Sequence, residues 1–369
     1  MTSSPTLLLG PGPSNVPPRV LEAMARPLWG HLDPRFLDVM DETQEHLRHL
    51  FGTANEMTLP LSATGSAGME ASLANLLEPG DPILVGVAGV FGERMCEVAR
   101  RIGAEVHRVD AEWGAALDAT EMRDAIDRLE PKVVAFVHAE TSTGVLQLVE
   151  EIAAAAGEAG ALTVLDTVTS LGGTPVDLDR WGVDVAYSGT QKCLSVPPGL
   201  SPVSFSDRAV ALVRKRERPV QSWYLDVSLL AGYYGGNRAY HHTAPISAIF
   251  GLAEGLRIVH EEGMEARAAR HREAGRYLVE RLGDIGFEPL VDETVRLPQL
   301  TTVLLPERVM EDGEAGVRRR LLAEHDIEVG GGLGPLAGRI WRIGLMGDNA
   351  RPDRVDRLAA ALASLLPGR

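Results

Sequence analysis

The sequence predicts an α/β fold: a large, mostly parallel, doubly wound sheet followed by a smaller C-terminal α+β unit. Three observations carry this expectation. Short β-branched runs alternate with Ala-rich amphipathic stretches. The runs are apolar almost without interruption, as strands covered on both faces must be. Beyond Pro245 the alternation gives way to long helical patterns. Right-handed βα crossovers wind the first part into one layer. A chain of 369 residues accommodates about two domains. We expect an amino-terminal loop segment over 1–20, a large domain over 21–262 and a small domain over 263–369.

The elements follow in order. Leu7-Leu8-Leu9 is the first apolar run, and Gly10-Pro11-Gly12-Pro13-Ser14-Asn15 after it is an irregular loop of turn formers. Phe36, Leu37, Met40, Leu47 and Leu50 recur at helical spacing, which predicts a helix over 35–50. A second helix over 66–77 is entered through Thr64-Gly65, and Pro79-Gly80-Asp81-Pro82 is a turn. Strands are expected at 83–87, 105–109, 133–137, 162–165, 184–187 and 203–205, with helices at 92–102 and 148–158. The second part holds helices over 247–262 and 264–282, a strand at 301–305, a helix near 317–324, a strand at 340–343 and a terminal helix from Arg354. No internal repeat or low-complexity tract interrupts the chain.

Charge and composition exclude several classes. Lys plus Arg number 36 against 51 Asp plus Glu, a net charge of −15, and this acidic balance argues against binding nucleic acid or an anionic membrane surface. No apolar run approaches the ~18 residues that span a bilayer. Met1-Thr2-Ser3-Ser4-Pro5 lacks the basic-then-apolar pattern of a secretory signal, so a cytoplasmic protein is expected. Cys96 and Cys193 are too few for a disulfide framework or a four-thiolate zinc site.

Open α/β sheets bind ligands at the carboxyl ends of their strands, so the residues after each strand are the first place to look. His138 to Gly144 follow one strand, Asp166-Thr167-Val168 a second, and Ser188 to Cys193 a third. Lys192 sits among small and apolar residues with no acid beside it in the chain. The bland reading is a surface lysine with its stem packed and its ammonium in water. The sharper one is a desolvated amine of lowered pKa, able to form a Schiff base. Asp166 closes an apolar strand and is expected inside; it either caps a helix or pairs with a buried cation such as a pyridinium nitrogen. One cofactor accounts for both residues. Thr64-Gly65-Ser66-Ala67-Gly68, at a helix start, offers backbone donors for a phosphate. No Rossmann fingerprint is spelled there, at Gly10-Pro11-Gly12 or at Gly330 to Gly334, which weakens a nicotinamide-dependent dehydrogenase.

With these residues on the page, the sequence resembles the class V, fold-type I pyridoxal-phosphate aminotransferases, close to the alanine–glyoxylate and serine–pyruvate group. The likeness runs through Leu9 to Asn15, Leu77 to Asp81, Glu140 to Gln147, Asp166 to Pro175, Ser188 to Lys192, Tyr240-His241-His242-Thr243 and Trp341-Arg342-Ile343-Gly344. The resemblance implies roles position by position. Lys192 would carry the cofactor covalently, and Asp166 would keep its ring nitrogen protonated. Val168 would lie beneath the ring and Phe91 above it, where many relatives have Trp. Thr141 would reach the ring hydroxyl region. Gly65, Ser66 and Gln191 would hold the phosphate, with Tyr240 and Thr243 of a neighbouring subunit; some relatives have His where Ser66 stands. Arg342 would grip the substrate carboxylate, and the backbone at Gly12 would line the same pocket.

Each has a plainer reading: Phe91 as core, Arg342 as a surface stacking partner of Trp341, Tyr240 as a packed amphipathic ring. His46 and His49 share a helix face and read as solvated. His241-His242 lacks a third ligand at metal spacing, so no metal is expected. The implied reaction is ping-pong transamination of a small amino acid, alanine or serine, with glyoxylate or pyruvate, in a homodimer with shared sites. Gly30-His31-Leu32-Asp33-Pro34 and Gly189 to Pro197 also look like the ureidoglycine–glyoxylate aminotransferases, in which positions matching His31 and Tyr240 tend to be Gln and Asn. This chain has neither amide, which favours the alanine/serine assignment. A cysteine desulfurase needs a mobile cysteine, which neither Cys96 nor Cys193 resembles, and a non-catalytic cofactor-binding regulator would carry an appended basic domain.

Overall fold

Val133–Val137 and Leu162–Asp166 bury every residue, which requires protein on both faces of the sheet they form. The computed structural model describes residues 5–366. The expectation drawn from Met1 to Ser4, and the last three residues of the expected small domain, lie outside that range. The large sheet contains β1 (Met57–Leu61), β2 (Pro82–Val87), β3 (Glu105–Asp110), β4 (Val133–Val137), β5 (Leu162–Asp166), β6 (Val185–Tyr187) and β7 (Ser201–Phe205) in spatial order β1-β7-β6-β5-β4-β2-β3. Every contiguous pair from β6 to β3 is parallel. Only β7 runs against its neighbours. The connection from β6 to β7, residues 188–200, holds no helix, and without a crossover helix the chain returns antiparallel.

Helices α1 (Gly65–Leu76), α2 (Val90–Ile102) and α3 (Glu150–Glu158) cover the sheet. Several elements stand where the sequence reading named none, among them the helices Pro18–Met24, Asp207–Arg214 and Val227–Tyr234, and two others show why. β1 carries Pro60, which masks its strand character. The helix Ala119–Leu129 buries only Met122, Ala125 and Ile126, yet its start was signalled by Asp118, whose carboxylate accepts from the N–H groups of Thr120 and Glu121.

Helix α4 (Ile246–Glu262) adds Phe250, Leu256 and Val259 to the core around the large sheet, whereas α5 (Met264–Gly283) gives Ala274, Leu278 and Leu282 to a second core. Gly263, with φ of 80°, breaks the helix between them. The second core lies against β8 (Glu288–Pro289), β9 (Leu300–Leu304), β10 (Gly330–Gly331) and β11 (Ile340–Gly344), an antiparallel sheet ordered β8-β9-β11-β10, and against α6 (Pro352–Leu365). The amino-terminal segment joins this unit: Leu7–Leu8 pair in parallel with Ile327–Glu328, and Leu7 and Leu9 enter the second core. Residues 10–15 are thereby carried across to the carboxyl edge of the large sheet.

Among the described residues no helix is long and apolar enough to cross a membrane, and no cluster of His, Cys, Asp or Glu is placed to hold a metal. His46 departs from its solvated reading. It is half-buried, its ring stacked on His260 at 5.3 Å between centroids, while His49 stays exposed.

Candidate active site

Strand ends and one helix start converge on a cavity of about 330 Å³. β5 delivers Asp166 and, just beyond it, Val168; β6 leads into Gln191 and Lys192; α1 brings Gly65 and Ser66; α2 brings Phe91; and Thr141 follows β4. These eight residues were all expected from the sequence, and all line this one cavity.

Lys192 lies in a tight loop, with Val196 N–H donating to Thr190 O and Ser195 N–H to Lys192 O. The amino-terminal loop is stitched onto it: Ser14 N–H donates to Gln191 O at 2.9 Å and Ser14 Oγ to Lys192 O at 2.8 Å. The Lys192 amine donates to Pro11 O. Gly12 has φ of +104°, a conformation that strains an L side chain, and a Cβ there would push on the flexible end of Lys192 at 2.5 Å, so the backbone calls for glycine. Lys192 keeps some surface toward the cavity and is enclosed elsewhere. Burial pushes its pKa down to about 8, and the charge of Arg342 acts in the same direction. A substantial neutral fraction at physiological pH makes the amine a nucleophile and a base.

Asp166 is 3% exposed. Its Oδ1 accepts from Val168 N–H at 2.8 Å and its Oδ2 from the Tyr187 hydroxyl at 2.7 Å. Burial nevertheless pushes its pKa up to about 6, against the pull of those two bonds. A carboxylate so placed gains from a buried cation.

Thr64 gives α1 no side-chain cap, leaving the first N–H groups of the helix available to an anion in the cavity. Gly65 is buried, and a Cβ there would press on Val168 and Ser188 O at 3.2 and 3.3 Å. Gln191 Oε1 is buried without a hydrogen-bond partner; what this wall residue offers an anion is the donating Nε2 amide of the same side chain.

Arg342 stands just behind the wall. Its Nε donates to Gly331 O at 2.7 Å and one terminal nitrogen reaches Thr141 O at 3.4 Å. It is not the surface residue of the plainer reading, being 8% exposed. Tyr240 and Thr243 are exposed and off the cavity wall of their own chain, with Tyr240 packed against the His31 ring at 5.3 Å. Between them, His241 and His242 face each other through their Nδ1 atoms at 2.9 Å, and His242 Nε2 lies 2.7 Å from Ser62 Oγ.

Two residues escaped the sequence reading. Tyr187, the last residue of β6, supplies the second bond to Asp166; burial holds its hydroxyl protonated far above the ordinary range. Glu140 is 1% exposed and accepts from Ser142 N–H, Ser142 Oγ and Phe91 N–H, which ties the start of α2 to the loop after β4. Its signal was a lone carboxylate after an apolar strand, the same signal that marked Asp166.

Comparison with known proteins places this geometry in a family. The aminotransferase class-V family matches residues 6–334. The chain is 42% identical to an alanine–glyoxylate aminotransferase of Oryctolagus cuniculus, over 98% of this chain and 92% of that one. It is 39% identical to an (S)-ureidoglycine–glyoxylate transaminase of Bacillus subtilis, over 97% and 90%. A solved structure of an alanine–glyoxylate aminotransferase from Nostoc sp. superimposes with a TM-score of 0.96 at 50% identity, covering 99% of this chain and 96% of that one.

Proposed function

The chain belongs to the class-V aminotransferases and is a pyridoxal-phosphate-dependent transaminase of fold-type I, and from that premise we propose that it transfers the amino group of a small amino acid, alanine or serine, to glyoxylate or pyruvate. The observation that carries the assignment of the site is the pair of enclosed groups that share one cavity without forming an ion pair: the Lys192 amine, which burial pushes down to about 8, and the Asp166 carboxyl, which burial pushes up to about 6.

The residues present suit the cofactor. Phe91 and Val168 offer flat and branched apolar surface for a ring, Asp166 a carboxylate for its nitrogen, Lys192 an amine for its aldehyde, and Gly65, Ser66 and Gln191 donors for its phosphate. When bound, pyridoxal phosphate supplies an electron sink for the α-carbon of an amino acid. The protein's part is positioning and proton handling. Asp166 holds a proton on the ring nitrogen, and Tyr187 and Val168 N–H hold Asp166. The Lys192 amine takes the α-proton as base and returns it as acid, a task matched to a pKa near the working pH. Arg342 presents a guanidinium for the substrate carboxylate, and the Gly12 backbone leaves the amine room to move.

Homologues at about 40% identity that act on glyoxylate support that acceptor. The ureidoglycine enzyme is among them, so ureidoglycine is the competing donor; the aromatic pair of His31 and Tyr240, where that subgroup is expected to have amides, favours alanine or serine. The exposure of Tyr240 and Thr243 away from their own cavity supports a homodimer in which each subunit lends them to its partner's site. The test is the Lys192→Ala variant with a donor panel. The expected result is loss of the borohydride-trappable cofactor adduct, with the unmodified chain using alanine or serine before ureidoglycine. An adduct that persists in the variant overturns Lys192, and a preference for ureidoglycine overturns the donor.

A further inference from the structure

Arg94 has no role in the site as derived above, yet it stands on the wall of the same cavity. It lies one helical turn after Phe91 on α2, its guanidinium centre 4.8 Å from the centroid of the Phe91 ring. A guanidinium seated on an aromatic face is oriented by it and keeps the N–H groups at its edge free for a ligand. Among the described residues the Arg94 side chain, exposed at the mouth of the cavity, has no ion pair and no hydrogen bond. Its neighbour Glu93 faces Arg108 instead, at 3.9 Å. Some exposed arginines of the chain pair with carboxylates, as Arg101 does with Glu97 and Arg123 with Glu158, and others, such as Arg100 and Arg128, do not; what sets Arg94 apart is its place on the cavity wall.

The charges on the wall sharpen the point. Its cationic groups are Lys192 and Arg94, while the donors at the start of α1 and at Gln191 are neutral. Arg342 stands behind Thr141 rather than on the wall. The charge of Arg94 reaches the cavity floor: at Tyr187 burial and Asp166 hold the hydroxyl protonated, and Arg94 opposes them. A phosphate carries about −1.5 to −2 charges at neutral pH, and a second carboxylate on a substrate carries one more than Arg342 answers.

We propose that Arg94 is a second oxyanion-recognition group of this cavity, separate from Arg342, which binds either the cofactor phosphate or the distal carboxylate of a dicarboxylic substrate. The inference rests on the reading of the cavity as a pyridoxal-phosphate site; the phosphate role leaves the alanine or serine donor as proposed, whereas the distal-carboxylate role would replace that donor with a dicarboxylic one.

Two binding measurements on Arg94→Ala and Arg94→Lys separate the sources. In the first, the full-length protein freed of cofactor is titrated with pyridoxal phosphate and with pyridoxal. In the second, the holoenzyme is titrated calorimetrically with propionate and with succinate. Loss of one charge-assisted contact weakens binding about tenfold or more. If the anion is the phosphate, Arg94→Ala weakens pyridoxal phosphate by that factor and leaves pyridoxal unchanged, and Arg94→Lys restores most of it. If the anion is a distal carboxylate, Arg94→Ala weakens succinate and not propionate, and Arg94→Lys restores less because the planar fork is lost. Equal weakening within both pairs, or no weakening in either, overturns the proposal and leaves Arg94 as packing for Phe91. A wild-type chain that binds no pyridoxal phosphate overturns the underlying reading of the cavity instead.

Discussion

Asp166→Asn tests the electrostatics of the site without disturbing its shape. The amide keeps an oxygen for Val168 N–H, and its NH₂ can donate to the Tyr187 oxygen, so both neighbours stay paired. What changes is the buried charge. A carboxyl held at about 6 instead of its ordinary 3.8 loses about 3 kcal/mol of folding stability once the pH is well above 6, at about 1.4 kcal/mol per pH unit. The raised value sets the sign: the contribution of Asp166 is intact below 3.8 and is lost as the pH rises through 6. In the protein freed of cofactor, Asp166→Asn should therefore be more stable than the wild type by about 3 kcal/mol at pH 8. The gap should fall to about half at pH 5 and vanish below pH 4. Urea denaturation across that range reads it directly, as a change in midpoint at constant slope. Pyridoxal phosphate should reverse the order, because a ring-nitrogen cation stabilises the carboxylate and has no such effect on the amide. A variant no more stable at pH 8, or a gap independent of pH, would refute the argument that Asp166 is a charge waiting for a cation.

The remaining predictions concern its neighbours. Arg342→Ala should raise KM about a hundredfold for every α-amino acid tested, because a bidentate carboxylate contact common to all of them is lost; steady-state kinetics on several donors checks this, and unchanged KM removes Arg342 from the substrate site. Tyr187→Phe removes one donor from Asp166 and should move its carboxyl further above 6, so that cofactor affinity, titrated against pH, begins to fall at a higher pH than in the wild type; an unshifted profile denies Tyr187 that part. Mixing Lys192→Ala with Tyr240→Ala should recover partial activity if a dimer pairs one intact Lys192 with one intact Tyr240 across the subunits. No recovery on mixing, with both variants folded, refutes sites shared between subunits.

The elements that build the large sheet were legible because their pattern is local. Val133–Val137 is apolar throughout and Leu162–Asp166 nearly so, and the turn at Pro79 to Pro82 marks the start of Pro82–Val87. Lys192 and Asp166 could be singled out for the same reason: a charge that follows an apolar strand is conspicuous in the chain itself. β1 was not legible, since Pro60 contradicts a strand until the neighbouring strand is known, and Ala119–Leu129 hides three buried positions among charged ones. Nor was the direction of β7, because five residues read alike in either sense.

Composition, periodicity and strand-end chemistry thus settled the α/β class, the order of most elements and the candidacy of Lys192, Asp166 and the helix start at Gly65-Ser66, since each of these depends on neighbours within a few positions along the chain; Phe91, Val168, Thr141 and Gln191 came from the resemblance to a family. The distances between groups far apart in sequence were the work of packing. Gly12 comes against Lys192 because Leu7 and Leu9 anchor the amino terminus in the second core. Tyr187 reaches Asp166 because β5 and β6 lie side by side with those two residues in register, and Arg94 reaches the wall because α2 lays its first turn across the cavity. Burial also set the ionisation of the amine and the acid, for desolvation is a property of the folded surroundings and of no single residue.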